Sequence, residues 1–138
     1  KHSLYASKVW KYLWRGFKQE FNDDELIYQA GIIGIVFHDA IKYGDPAENR
    51  RYTTNTHPED AAEWMDILVK EITNDFPNHE RAQDFASFCE TYICRPIRHH
   101  QGPWSTYGAP KTLMQQLIFI ADFVASQPTF EEEIFKCE

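Results

Sequence analysis

Apolar positions recur at three- and four-residue intervals along nearly the whole chain, and no segment alternates as a strand would. Residues 2–21 carry Leu4, Trp10, Leu13, Trp14, Phe17 and Phe21 at helical spacing, which predicts a first helix with one apolar stripe. Asn22-Asp23-Asp24 is a helix-start signal, and a second helix is expected over 24–43, ending near Gly44-Asp45-Pro46. It contains the run Gly31–Phe37, and Gly31 and Gly34 inside it predict close helix–helix contact, since glycine there costs helix propensity. Residues 44–56 are polar and read as a loop. Thr56-His57-Pro58-Glu59 reads as a capping box opening a third helix that runs to about Asn74. Phe76-Pro77-Asn78 breaks the chain, a fourth helix covers 79–94, and a turn carries Pro96 to His100. A loop rich in Gly, Pro and aromatics spans 101–110. Thr112 caps a fifth helix over 113–127, with Leu113, Leu117, Ile120, Ala121 and Val124 inward, and Thr129 starts a short last one. The expectation is one all-α domain over 1–138, a compact bundle of five to six helices.

Composition narrows the function more than the fold. The 43% hydrophobic and 15% aromatic fractions support a bulky core, and no stretch is long and apolar enough to span a membrane. The net charge of −7, with scattered basic residues, argues against a long nucleic-acid partner and for a small anionic ligand screened by metal. The cysteines, Cys89, Cys94 and Cys137, fit neither a zinc spacing nor a disulfide framework and read as reduced thiols of a cytoplasmic protein. The chain opens at Lys1 rather than Met, which reads as a trimmed chain or fragment, with His2 at the cut.

The candidate chemistry lies in the histidines and aspartates. His38-Asp39 ends the apolar run, and an imidazole and a carboxylate placed there need a partner or an ion. Successive residues on a helix point about 100° apart, so the pair meets one ion only at the helix edge, with another helix completing the shell. Asp122 interrupts the apolar run Leu117–Ala125 and is a candidate for that role, or an inward Asp bonded to a helix N-terminus or an Arg. His57 alone reads as a polar residue of a first helical turn, His99-His100 as ligands or an exposed basic turn, His2 as a solvated terminal residue and His79 as surface.

Taken in order, H, HD, H, HH and D, the pattern resembles the HD-domain superfamily of metal-dependent phosphohydrolases over nearly the whole chain. The resemblance implies His2, His38, Asp39 and Asp122, the last in an "AD-x-x-A-S" setting, as ligands of a primary metal. His38-Asp-Ala-Ile-Lys42 is similar to the family's "HD-x-x-K", which implies Lys42 as a catalytic residue meeting substrate phosphate. Tyr52-Thr53, His57-Pro58, Ala61-Ala62 and the segment Ile97–Trp104 look like stretches of small phage and bacterial members. They imply a second metal on His57 and His100, with His99 as a further ligand. Gly102-Pro103-Trp104 is not the "GYP" of the HD-GYP branch, and the Glu motif of the five-prime deoxynucleotidase branch is not evident after Asp39.

The resemblance thus implies a hydrolase of phosphoester or phosphoanhydride bonds acting on a small phosphorylated substrate, foremost a nucleotide. It would use one or two of Mn, Fe, Co, Ni or Zn, since mixed imidazole and carboxylate ligands suit these over Ca or Mg. Arg98 would assist Lys42 at the phosphate, and Trp104 and Tyr107 would cover the pocket and stack on a base. The rivals are a phosphodiesterase or nuclease on cyclic or single-stranded substrates, and a non-catalytic regulatory HD scaffold.

Overall fold

The computed structural model of the chain describes residues 1–44 and 46–127, and among these every regular element is helical. The main elements are α1 (His2–Phe17), α2 (Glu25–Phe37), α3 (His57–Asn74), α4 (His79–Cys89), α5 (Arg95–Arg98) and α6 (Leu113–Ala125). Single 3-10 turns at Lys18–Phe21, Pro46–Glu48 and Gly102–Trp104 fill the connections. The expected helix at Thr129 and Cys137 lie outside the described residues. No helix among them is long and apolar enough to cross a membrane.

Two apolar clusters form the core, and α2 stands between them. Tyr5, Val9, Trp10 and Trp14 of α1 meet Ile27 and Ile35 of α2 and Met114, Leu117, Ile118 and Ala121 of α6. Ala30 of α2 joins Ala61, Ala62, Met65 and Val69 of α3 and Cys89, Ile93, Cys94 and Ile97 further on. Buried on two sides, α2 shows an apolar run rather than a stripe. The α1 stripe is rotated from the expected one: Leu4 and Phe17 are exposed, while Tyr5 and Val9 are buried. In α6, Ile120 likewise faces outward. Gly31 does allow a close approach, since a Cβ there would sit 2.2 Å from the Trp10 indole, but Gly34 has nothing within 4 Å of such a Cβ.

Several helix ends differ from expectation. α2 stops at Phe37, not 43, and the His38 ring bonds the Ile35 carbonyl (2.6 Å) in the turn that leaves it. Residues 38–44 then proceed by successive tight turns, Ala40 to Phe37, Lys42 to Asp39 and Gly44 to Ile41. The capping box at Thr56 does not form; its hydroxyl donates to Asp60 instead (2.9 Å). The helix of 79–94 does not end before Pro96 either. A π-helical turn at Glu90–Cys94 carries it into α5, with the Arg95 amide reaching Glu90. In a regular α-helix Pro96 would clash with the carbonyl four residues back, and the wider turn relieves that. Thr112 and Gln115 do form the capping box of α6.

Candidate metal centre

The distant histidines and aspartates converge where the ends of α2 and α5 meet the start of α3 and the middle of α6. His2 comes from the first turn of α1 and Asp122 from α6; their Nε2 and Oδ1 atoms are 2.7 Å apart. His38 Nε2 lies 3.1 Å from the same Asp122 oxygen and 3.5 Å from Asp39 Oδ2. On the other side of Asp39, Oδ1 lies 3.4 Å from His57 Nε2 and 3.7 Å from His100 Nε2. The two imidazole nitrogens are 3.2 Å from each other. These atoms form overlapping groups, and Asp39 presents one carboxylate oxygen to each side.

The ring tautomers follow from the backbone. His38, His57 and His100 each face the carbonyl three residues back through Nδ1: Ile35 (2.6 Å), Thr54 (2.8 Å) and Ile97 (2.6 Å). A carbonyl only accepts, so each Nδ1 carries the hydrogen and each neutral ring turns a bare Nε2 lone pair inward. Two such lone pairs face each other between His57 and His100, and another faces the Asp122 carboxylate. Only a shared proton or a cation reconciles those contacts. Metal–ligand bonds of about 2.1 Å put donors about 3.0 Å apart at right angles and about 3.4 Å apart at the tetrahedral angle. The spacings around Asp39 and Asp122 fall close to those edges, so the residues fit a divalent transition metal. With the imidazoles neutral, the two carboxylates and Lys42 leave the cluster one negative charge, and the C-terminal end of α2 adds to the pull on a cation.

Electrostatics hold most donors ready. Burial pushes the Asp39 carboxyl up, but hydrogen bonding with His57, the charge of His38 and the Lys42 ammonium at 2.9 Å outweigh it and hold it far below the usual carboxylate range. Asp122 is lowered in the same way, burial being overcome by His2 and His38. Burial, with the nearby charge of His38, brings His100 down to about 4, which keeps its ring neutral. His38 moves upward: burial opposes its charge, but the hydrogen bond to Asp122 and the fields of Asp39 and Asp122 win.

Not every expected residue reaches the centre. His99 is turned away, its Nδ1 on the Gly108 carbonyl (2.9 Å), and is not among the donor groups. The adjacent ring of His100 takes the inward place. Arg98 pairs with Glu59 (2.9 Å) and Glu90 (3.5 Å), which ties α5 to the first turn of α3 and so sets His100 against His57. It is a strut rather than a free cation at the site. Lys42 does stand beside Asp39, although on a turn beyond the end of α2 and not on a helical face.

A cleft of about 410 Å³ opens directly beside the centre, with His100 and Asp122 in its wall. Trp104, Phe119 and Phe123 form its aromatic sides, and Asn55, Gln101 and Ser126 its polar ones; Tyr107 is not on its walls. Sequence reasoning missed Phe119, Phe123 and Ser126, although a signal existed. With Asp122 they fall at i, i+3, i+4 and i+7 on one face of α6. No family model, curated protein or solved structure matches the chain, so the chemistry rests on these atoms.

Proposed function

We propose that the protein is a metal-dependent phosphohydrolase of the HD type, cleaving a phosphoester or phosphoanhydride bond of a small phosphorylated substrate. The observation that carries this is the set of three overlapping donor groups, His2 with His38 and Asp39, His38 with His100 and Asp122, and Asp39 with His57 and His100. One or two ions of Mn, Fe, Co, Ni or Zn held there would acidify water near neutral pH and polarise a phosphoryl oxygen. Asp39 and Asp122 stay ionised to hold them, and His100 stays neutral for the same purpose. Lys42, 37% exposed at its side chain, sets a cation beside Asp39 where it can neutralise substrate phosphate. In the hydrolysis one P–O bond forms from water oxygen as the P–O bond to the leaving group breaks, and that group ends protonated. The net charge of −7 favours this reading over a nuclease.

The test supplies Mn, Co, Fe or Ni and measures phosphate release from a nucleotide panel and an aryl phosphate. Wild type should turn over, and Asp39→Ala should not. Equal release by both proteins sinks the reading.

A further inference from the structure

The face of α6 that supplies Asp122 continues into a built cleft. Phe119 and Phe123 flank the carboxylate, their rings 5.8 Å apart. Trp104 lies nearly parallel to Phe123, at 17° and 6.1 Å between centroids, yet remains 69% exposed. A large ring left mostly bare beside a polar centre forfeits the burial that normally stabilises a tryptophan. Gly102 makes the arrangement possible. Its φ is +62°, and a Cβ there would sit 2.4 Å from the Phe119 ring, so only glycine lets the 3-10 turn press Trp104 toward α6. The amides of Asn55 and Gln101 border the same cleft, each offering both a donor and an acceptor. The volume of about 410 Å³ lies in the range of small-ligand sites.

We infer that this cleft is a nucleobase subsite: a planar heterocycle stacks on Trp104 against the Phe119–Phe123 wall, its polar edge meets Asn55 and Gln101, and its phosphate lies at the adjacent centre. The inference rests on the phosphohydrolase reading for what happens at the phosphate. The base subsite itself does not depend on catalysis. An aliphatic phosphate would leave the aromatic walls wet and the amides unused, whereas a nucleotide uses both.

The first arm is binding alone. Adenosine, guanosine, cytidine and uridine are titrated into chelator-treated protein by calorimetry, in wild type and in Trp104→Ala, with folding checked by circular dichroism. Wild type should give a saturable isotherm with at least one nucleoside, and the variant, altered at an exposed position, should bind it at least about tenfold more weakly. The second arm compares kcat/KM for nucleotides and for glycerol phosphate in metal-loaded protein. Trp104→Ala should lose about tenfold to a hundredfold on nucleotides, mainly in KM, a larger loss than on glycerol phosphate. Absence of nucleoside binding at millimolar concentration, or an equal loss on both substrates, overturns the subsite while leaving the hydrolase reading standing. Nucleoside binding without phosphate release from any substrate does the reverse.

Discussion

The sharing of Asp39 between two donor groups predicts a particular pattern of metal loss. Wild type should bind two divalent ions. His57→Gln removes a donor only from the group around Asp39 Oδ1, where the nitrogens and the oxygen lie 3.2–3.7 Å apart, and should keep one ion. Asp39→Asn alters both groups that contain it, leaves only His38, His100 and Asp122 intact, and should keep at most one weakly held ion. An ion at 100 times its Kd stabilises the fold by about 2.7 kcal/mol. For a chain of this size that is about 10 °C in Tm per ion, taking about 4 °C per kcal/mol. Titration calorimetry with Mn or Co gives the stoichiometry, and thermal melts with and without metal give the increments. Wild type should gain twice the increment of His57→Gln, and Asp39→Asn should gain almost none. The upward shift of His38 adds a signature: an ion filling its group competes with the proton of that ring, so metal affinity should weaken as pH is lowered. Two ions retained in Asp39→Asn, or both lost in His57→Gln, would refute the shared-carboxylate geometry.

The same contacts set the response to pH and to substitution elsewhere. In metal-free protein, His100 resists protonation down to about 4 while the unfolded chain takes the proton near 6.5, so the unfolded state binds more protons in that window and stability falls as pH drops through it, by up to about 3 kcal/mol. Denaturant melts of wild type and His100→Gln between pH 7 and 4 should show a flatter slope in the variant. Gly31→Ala should destabilise by about 1–3 kcal/mol through its clash with Trp10, whereas Gly34→Ala, with open space, should stabilise by about 0.5–1 kcal/mol; chemical denaturation measures both. Lys42→Met should leave ion stoichiometry intact and lower kcat/KM about tenfold to a hundredfold, the worth of a charge-assisted hydrogen bond, in the phosphate-release assay.

The helices are legible in the sequence because periodicity reports burial, and five of the six main helices fall where spacing puts them. What the spacing does not carry is the local bonding at helix ends. No glycine or proline at positions 36–40 marks a helix end, and the chain leaves α2 in a turn where the His38 ring bonds the Ile35 carbonyl. Pro96 reads as a break because a lone proline usually is one, and only packing of Ile93, Cys94 and Ile97 into the second cluster favours a π-helical turn over a stop. The α1 stripe is ambiguous by one position because Leu4 and Tyr5 are both apolar, and the choice between them is made by α2 and α6.

At the site, residue types are legible and orientations are not. His99 and His100 are interchangeable on paper; the deciding contact is Nδ1 of His100 on Ile97, the carbonyl three residues back that also fixes His38 and His57 in their own segments. This bond is local to each segment, so each of those rings is aimed by its own piece of backbone. Tertiary packing then has only to bring three preset nitrogens toward Asp39. His2 differs. Its ring is held by Asp122 and by an edge contact with His38, and it is 32% exposed. The group that contains it therefore depends on α1 seating against α6, through Tyr5, Val9 and Trp10, whereas the group on His57 and His100 depends on the Arg98–Glu59 strut between α5 and α3. The two halves of the centre are thus stabilised by different parts of the core, and Asp39, on the turn that leaves α2, is where those parts meet.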